Sequence, residues 1–174
     1  MSRRPVVAVI GQSGPLPDSL VCDVVALGTA LVDAGWRIVS GGRDGVMAAV
    51  SEGAHASASY REGDVVGILP GYDATEANPH VDIVVPTGLG IARNVLVVAM
   101  ADVVVAVAGG PGTLSEIALA WQLGRPVIAL TRGEGWAVEL AGRRIDPERE
   151  QTVVAAADVA AVVVAVQRAL ASGQ

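Results

Sequence analysis

Short apolar runs alternate with amphipathic segments along most of the chain, and glycine or proline stands at many of the boundaries. The runs of five or six residues are rich in valine, which is typical of strands buried on both faces. The amphipathic segments carry leucine, valine or alanine at helical spacing, which predicts helices. The predicted strands cover residues 5–10, 36–40, 64–69, 81–85, 102–107 and 126–131, and the predicted helices cover residues 18–34, 46–55, 89–100, 113–123 and 157–170.

This alternation predicts an α/β fold with a doubly wound, mostly parallel sheet and helices on both faces. We expect six or seven strands, the last being an edge strand near Val153 and Val154. The length suits one buried core, so we expect residues 1–174 to form a single Rossmann-like nucleotide-binding domain. The charged residues 132–150 carry no such pattern, and they either cross the surface or shape a ligand pocket.

Apolar residues make up 52% of the chain, and the mean hydropathy is +0.51. The most apolar stretch, residues 95–110, is nevertheless interrupted by Asp102. No uninterrupted run reaches the roughly 18 residues that a membrane helix needs, and the N-terminus lacks the apolar stretch of a signal peptide. We therefore expect a cytoplasmic protein without a membrane partner.

The formal net charge is −6, which argues against a nucleic-acid partner but leaves room for local binding of an anionic small molecule. Cys22 is the only cysteine, so the chain has no internal disulfide, and we expect this residue to fill a small space in the core. His55 and His80 are isolated in the sequence, so we expect no metal site.

All 12 basic residues are arginine, and lysine is absent. This excludes a Walker A lysine, a pyridoxal-phosphate Schiff base and a Ser–Lys dyad, because each needs an amine at the reacting centre. A phosphate site in this chain must therefore use arginine, backbone N–H groups and hydroxyls.

Glycine clusters follow the first, second and fifth predicted strands. In a doubly wound sheet, ligands bind beyond the carboxyl ends of the strands, and glycine lets the backbone approach a phosphate closely. None of the clusters has the spacing of the dinucleotide-binding motif. The candidate binding residues are Gly11 and Ser13 in the first cluster, Gly41, Gly42, Gly45 and Met47 in and after the second, and Gly109, Gly110, Gly112 and Thr113 in the third.

Two charged residues near these clusters are candidates for chemistry. Glu116 lies one helical turn after the third cluster, where it either faces the ligand or forms a capping box with Thr113. Arg93 follows Gly88 and Gly90 near a predicted helix start, where it either clamps a phosphate or extends to the surface.

These residues together resemble the LOG (Lonely Guy) family of Rossmann-like proteins, whose enzymes are cytokinin riboside 5′-monophosphate phosphoribohydrolases. The resemblance rests on residues 41–47, on the pair Arg93 and Asn94, and on residues 109–116. It implies that Glu116 and Arg93 are the catalytic residues, that the glycines and Thr113 hold the phosphate with Asn94 as a further ligand-binding residue, and that no cofactor is required. The chain departs from the family pattern at Ala108, where the enzymes have proline, and at Asn94, where they have lysine.

Residues 71–79, 86–90 and 92–94 resemble more closely a small subfamily that includes molybdenum-cofactor carrier proteins. This resemblance implies a phosphorylated ligand, molybdopterin, that is held and handed over rather than cleaved. Two functions therefore stay open: hydrolysis of the N-glycosidic bond of a nucleoside 5′-monophosphate, or non-catalytic binding of the molybdenum cofactor. Both groups form oligomers, which implies a homodimer or homotetramer, and the apolar face of the helix over residues 89–100 either forms the subunit interface or packs under the sheet.

Overall fold

The computed structural model describes residues 3–172 of the chain. Its strands are β1 (Val6–Gly11), β2 (Arg37–Ser40), β3 (Val65–Leu69), β4 (Ile83–Pro86), β5 (Val103–Val107), β6 (Val127–Leu130) and β7 (Val154–Ala156). Its α-helices are α1 (Asp18–Asp33), α2 (Val46–Ala56), α3 (Asn94–Met100), α4 (Pro111–Gln122), α5 (Trp136–Leu140) and α6 (Val159–Ser172). Each predicted strand and helix is present, with ends shifted by a few residues.

The seven strands form one parallel sheet in the order β4-β3-β2-β1-β5-β6-β7. The chain builds outward from β1 to β4 and then returns to place β5 on the other side of β1. The order therefore reverses between β1 and β5, which is where a doubly wound sheet opens a crevice for ligands. The predicted α/β, Rossmann-like fold is confirmed.

Both faces of the sheet are covered, and the side chains of each strand alternate between two cores. In β1, Val7 and Val9 belong to the core beneath α1, α2 and α6. Ala8 and Ile10 belong to the opposite core, which contains residues of α3, α4 and α5. The strands are apolar on both faces for this reason, and aliphatic side chains fill both layers without phenylalanine.

Helices α1 and α2 pack closely because each has a glycine at the crossing. A Cβ on Gly28 would overlap the carbonyl oxygen of Val50, and a Cβ on Gly53 would overlap that of Val25. The hydroxyl of Thr29 donates a hydrogen bond to the Gly53 carbonyl over 2.7 Å. This contact fixes α2, whose N-terminus lies at the carboxyl end of β2.

The helix predicted over residues 89–100 is shorter than expected. Gly88 and Gly90 have φ angles of 65° and 57°, and the chain forms a 3₁₀ turn at Gly90–Arg93 before α3 begins at Asn94. Because left-handed glycines interrupt the α-helical hydrogen bonds, the first turn of the expected helix is absent. Arg93 therefore lies at a junction between two helical segments rather than within one.

The expectation for Cys22 is wrong, because this residue is exposed. The buried positions of α1 include Leu20, Val24 and Leu27, and a residue two positions after Leu20 lies on the opposite side of the helix. Within the described residues, no helix combines the length and apolarity required to cross a bilayer.

Candidate functional site

The loops that follow β1, β2 and β5 meet at the reversal of strand order, around a cavity of about 590 Å³. Backbone and side chains from both halves of the sheet line it. Eleven of the predicted site residues are among the lining residues: Gly11, Ser13, Gly41, Met47, Arg93, Asn94, Gly109, Gly110, Gly112, Thr113 and Glu116.

Gly11 ends β1 at the centre of this cavity. It pairs with Val107 across the reversal point, and a Cβ there would overlap the Val107 carbonyl oxygen. The next residue, Gln12, accepts a hydrogen bond from the Val46 N–H over 2.9 Å. The first loop is therefore tied to the start of α2, and it holds Ser13 at the cavity wall.

The second loop divides into a part that faces the cavity and a part that does not. Gly41 faces it, and a Cβ there would overlap the guanidinium group of Arg93. Gly42 instead packs on Gly67 of β3, and Gly45 packs beneath the first loop against Gln12. The prediction that Gly42 and Gly45 line the ligand site is not supported by their positions, because both form close backbone contacts elsewhere.

The third loop leads directly into α4, which begins at Pro111, two residues earlier than predicted. Gly110 occupies the N-cap position, so Thr113 lies inside the helix and the capping box with Glu116 does not form. Thr113 packs instead against Gly109. The N–H groups of the first turn of α4 have no intrahelical acceptors, and the positive end of the helix dipole lies at the cavity.

Gly110 and Gly112 differ from the other glycines of the site. Neither has a left-handed φ angle, and a Cβ at either position would meet no protein atom within 4 Å. Neither the backbone conformation nor the packing therefore requires glycine at these positions. Their small size leaves open space in front of the N-terminus of α4.

Ala108 carries unusual backbone geometry at the end of β5. Its φ angle is 50°, and it is the one non-glycine residue with a positive φ among the described residues. Proline cannot adopt this angle, because its ring holds φ near −65°. The alanine that departs from the LOG pattern is therefore matched to this backbone.

Arg93 is almost buried, with 11% of its side chain exposed. Its Nε has no hydrogen-bond partner, and its Nη1 lies 3.6 Å from Oε1 of Glu116. Burial lowers the pKa of Arg93, the carboxyl group of Glu116 raises it, and Arg43 lowers it again. The guanidinium group thus reaches the cavity with most of its hydrogen-bonding capacity unused.

Glu116 lies in the first half of α4, with 8% of its side chain exposed. Burial raises its pKa to about 7, although the nearby guanidinium of Arg93 opposes the shift. A carboxyl group of this kind exchanges its proton near neutral pH, which suits it to donate or to accept a hydrogen bond.

Asn94 lines the cavity and also connects two helix starts. Its Nδ2 donates to the Ser115 hydroxyl over 3.1 Å, and that hydroxyl donates to the Gly112 carbonyl over 2.6 Å. Asn94, which stands where the LOG pattern has lysine, therefore supports the third loop through neutral hydrogen bonds.

Glu134 and Gly135 also line the cavity, and the sequence analysis did not single them out. The segment after β6 contacts the third loop, because the N–H groups of Trp136 and Ala137 donate to the carbonyls of Gly109 and Ala108 over 2.9 and 3.0 Å. The sequence leaves two interpretations for residues 132–150, a surface crossing or a part of the pocket, and the first part of the segment shapes the pocket. The sequence feature that indicates a tight loop there is the pair of glycines, Gly133 and Gly135, on either side of Glu134.

His55 and His80 are far apart in the sequence, but the fold brings them close together. Their ring centroids lie 5.3 Å apart, and His55 Nε2 lies 3.2 Å from Asp82 Oδ1. Asp82 also accepts hydrogen bonds from the N–H groups of Gly63 and Val65 over 3.1 and 2.9 Å. Within residues 3–172, no group of histidine, cysteine and carboxylate side chains is arranged to hold a metal ion.

Comparison with known proteins connects this chain to one family. The model of the SLOG cluster4 family matches residues 4–163. An uncharacterised protein of Archaeoglobus fulgidus is 38% identical over 104 residues, which cover 60% of this chain and 66% of that protein, slightly under two thirds of its length.

Two solved structures share the fold over almost the whole chain. The molybdenum cofactor binding protein from the phototrophic bacterium Rippkaea orientalis is 31% identical with a TM-score of 0.84, and the match covers 98% of this chain and 99% of that one. The molybdenum cofactor carrier protein of Chlamydomonas reinhardtii is 33% identical with a TM-score of 0.79, covering 97% and 99%.

Proposed function

This chain belongs to the SLOG cluster4 family, and on that premise we propose that it binds the molybdenum cofactor through its phosphate group and carries it without cleaving it. The names of the two similar structures support this proposal over hydrolysis. We also propose that the cavity beside β1 and β5 is the binding site.

The unsatisfied guanidinium group of Arg93 carries the proposal. A buried arginine with an unpaired Nε is costly unless an anion supplies the missing acceptors. Glu116 does not supply them, because its Oε1 lies 3.6 Å from the nearest guanidinium nitrogen and its pKa of about 7 leaves it only partly ionised near neutral pH. A phosphate oxygen in the cavity would accept from Arg93 and would form charge-assisted hydrogen bonds.

The N-terminus of α4 supplies the second half of the proposed phosphate site. Pro111 has no N–H, but those of Gly112 and Thr113 belong to the unpaired first turn. Because Gly110 and Gly112 leave open space in front of these groups, an anion can approach the backbone closely. The site uses arginine and amides, as a chain without lysine must.

The size and lining of the cavity fit a ligand larger than phosphate alone. A volume of about 590 Å³ lies within the range of small-molecule sites. Val9 and Ile10 line the cavity while their side chains stay buried in the two cores, and Met47 adds an apolar side chain beside Gly41. A phosphorylated pterin is larger than a phosphate ion and carries a terminal anion.

The direct test is titration of the protein with isolated molybdenum cofactor, with binding measured by calorimetry under anaerobic conditions. Arg93→Gln should weaken binding by about 30-fold, because it removes charge-assisted hydrogen bonds worth about 2 kcal/mol. Arg168→Gln is the control, because Arg168 is exposed on α6 away from the cavity. Absence of binding, or equal binding by the two variants, would contradict the proposal.

A second candidate is hydrolysis of the N-glycosidic bond of a nucleoside 5′-monophosphate, as the resemblance to the LOG enzymes implies. The observation in its favour is that Glu116 and Arg93 lie together at the cavity. An ionised Glu116 would stabilise positive charge on the ribose while water attacks C1′ and the base leaves with a proton. Chromatographic detection of free base from adenosine or cytokinin 5′-monophosphate, lost in Glu116→Gln, would support this candidate.

We further propose that the protein forms a homodimer or homotetramer through the surface around the 3₁₀ turn and β4. Ile91 is 90% exposed, Tyr72 84%, Leu89 51% and Ile83 48%. An apolar surface of this kind on a globular protein is typical of an interface. Light scattering after gel filtration should give a molar mass two or four times the 17.6 kDa of one chain, and Ile91→Asp should reduce this molar mass. A monomer in the unaltered protein would contradict the proposal.

A further inference from the structure

We propose that Glu134 is a specificity-determining residue that recognises the N–H edge of a 2-amino-4-oxo ring, the edge that pterins share with guanine. The inference rests on the proposed function and goes further, because it assigns the opposite side of the cavity from Arg93 to the ring of the ligand.

The strand order places Arg93 and Glu134 at opposite sides of the cavity. Arg93 packs on Gly41, directly after β2, and Glu134 follows β6. Three strand spacings separate β2 from β6 in the order β2-β1-β5-β6, or roughly 14 Å. A ligand whose phosphate binds at Arg93 and the N-terminus of α4 therefore has room to extend toward β6, where Glu134 lines the cavity.

The loop that carries Glu134 is fixed on both sides. Before it, the Thr131 N–H donates to the Ala156 carbonyl over 2.8 Å, and after it the Trp136 N–H donates to the Gly109 carbonyl over 2.9 Å. Gly135 has a φ angle of 115°, and a Cβ there would overlap the Gly109 backbone. Glu134 is thus attached to the proposed phosphate loop itself, so phosphate binding and ring binding share one rigid support.

Glu134 is exposed at the cavity, and its carboxylate has no hydrogen-bond or ion-pair partner within residues 3–172. Its oxygens are therefore available to accept hydrogen bonds from a ligand. Two adjacent N–H groups on a heterocycle fit them, since a carboxylate accepts from both in a bidentate arrangement. A 2-amino-4-oxo ring offers two such groups on one edge.

The test compares guanosine and inosine 5′-monophosphates, which differ only by the 2-amino group. Calorimetry on the unaltered protein should show guanosine monophosphate binding about tenfold more tightly. Glu134→Gln should remove this preference, measured as the ratio of the two affinities, because the lost negative charge acts on both phosphates alike whereas the lost acceptor acts on the 2-amino group alone. Glu139→Gln is the matched control, because Glu139 is exposed on α5 and does not line the cavity. Arg93→Gln should weaken both ligands equally.

The outcomes separate this inference from the proposed function. Equal affinity for the two nucleotides, each dependent on Arg93, would overturn the role of Glu134 and leave the phosphate site standing. An equal loss for both nucleotides in Glu134→Gln would also overturn it, as would a preference that follows the ribose hydroxyl in 2′-deoxyguanosine monophosphate. Binding of the molybdenum cofactor without binding of guanosine monophosphate would overturn the shared-edge assignment. Absence of any binding that depends on Arg93 would overturn both proposals.

Discussion

Nη1 of Arg93 and Oε1 of Glu116 lie 3.6 Å apart, beyond hydrogen-bond distance, although about nine tenths of each side chain is buried. A structural ion pair would close this gap, because burial makes an unsatisfied charge costly. The separation leaves an arginine in need of an acceptor and a carboxyl group that is only partly ionised near neutral pH. Both properties suit a site that receives an anion.

Substitution of Glu116 should reveal the energetic cost of this arrangement. The pKa of Glu116 rises from an ordinary 4.5 to about 7 in the folded protein, so the folded state resists its ionisation. The free energy that ionising Glu116 costs the folded state is absent below about pH 4.5, grows as the pH rises from there, and is complete above about pH 7. Glu116→Gln should therefore be more stable than the unaltered protein by about 3 kcal/mol near pH 8 and nearly equal near pH 4. Urea unfolding at both pH values measures the difference, and a pH-independent difference would refute it.

Ligand affinity should also depend on pH through the same group. An ionised Glu116 repels a phosphate bound at Arg93, so affinity should fall as the pH rises through about 7. A phosphate monoester is mostly dianionic above about pH 6, so the change above that value reports the protein. Calorimetric titrations from about pH 6.5 to 8.5 should show the decline in the unaltered protein and a flat profile in Glu116→Gln. A decline that persists in the variant would assign the titration to another group.

Filling the space in front of α4 should remove binding without unfolding the protein. Gly110→Ala places a methyl group where no protein atom lies within 4 Å, and the φ angle of −100° accepts alanine. We expect binding to weaken by about 100-fold while the melting temperature stays within a few degrees, because only the ligand meets the methyl group. Gly71→Ala is the control, since its Cβ would meet only the Glu76 side chain at 3.5 Å, away from the cavity. Unchanged ligand affinity in Gly110→Ala would show that the anion binds elsewhere.

Placing at position 108 the proline of the LOG pattern should disrupt the loop that Ala108 permits. Ala108→Pro requires a φ angle near −65° at a position that adopts 50°, so we expect a loss of about 3 kcal/mol in unfolding free energy and of ligand binding. Ala108→Gly is compatible with the observed angle and should change stability by about 1 kcal/mol or less. Comparison of the two by thermal unfolding and ligand titration isolates the backbone effect. A proline variant as stable as the glycine variant would show that the loop adopts a second conformation.

The sequence pattern predicted the sheet well because valine runs and helical spacing act locally. It predicted the start of α3 poorly, since the left-handed angles of Gly88 and Gly90 depend on the surrounding chain. The placement of Gly42 and Gly45 could not be read from the glycine cluster, because glycine serves close packing as well as ligand approach. The position of Glu134 at the cavity could not be predicted from the sequence pattern, because it depends on β6 lying beside β5. The single-domain organisation of residues 1–174, the cytoplasmic location and the absence of a nucleic-acid partner stay predictions.

The residues that line the cavity extend from Val9 to Gly135 in the sequence, so most of the chain must fold before the site exists. By mass action, an occupant that binds only the folded chain raises its stability by about 1.4 kcal/mol for each tenfold excess over the dissociation constant. An occupied molecule should therefore outlast an empty one against proteases, and cellular supply of the ligand would set how much of the protein survives. The chain would protect its cargo, and the cargo would in turn extend the lifetime of the chain.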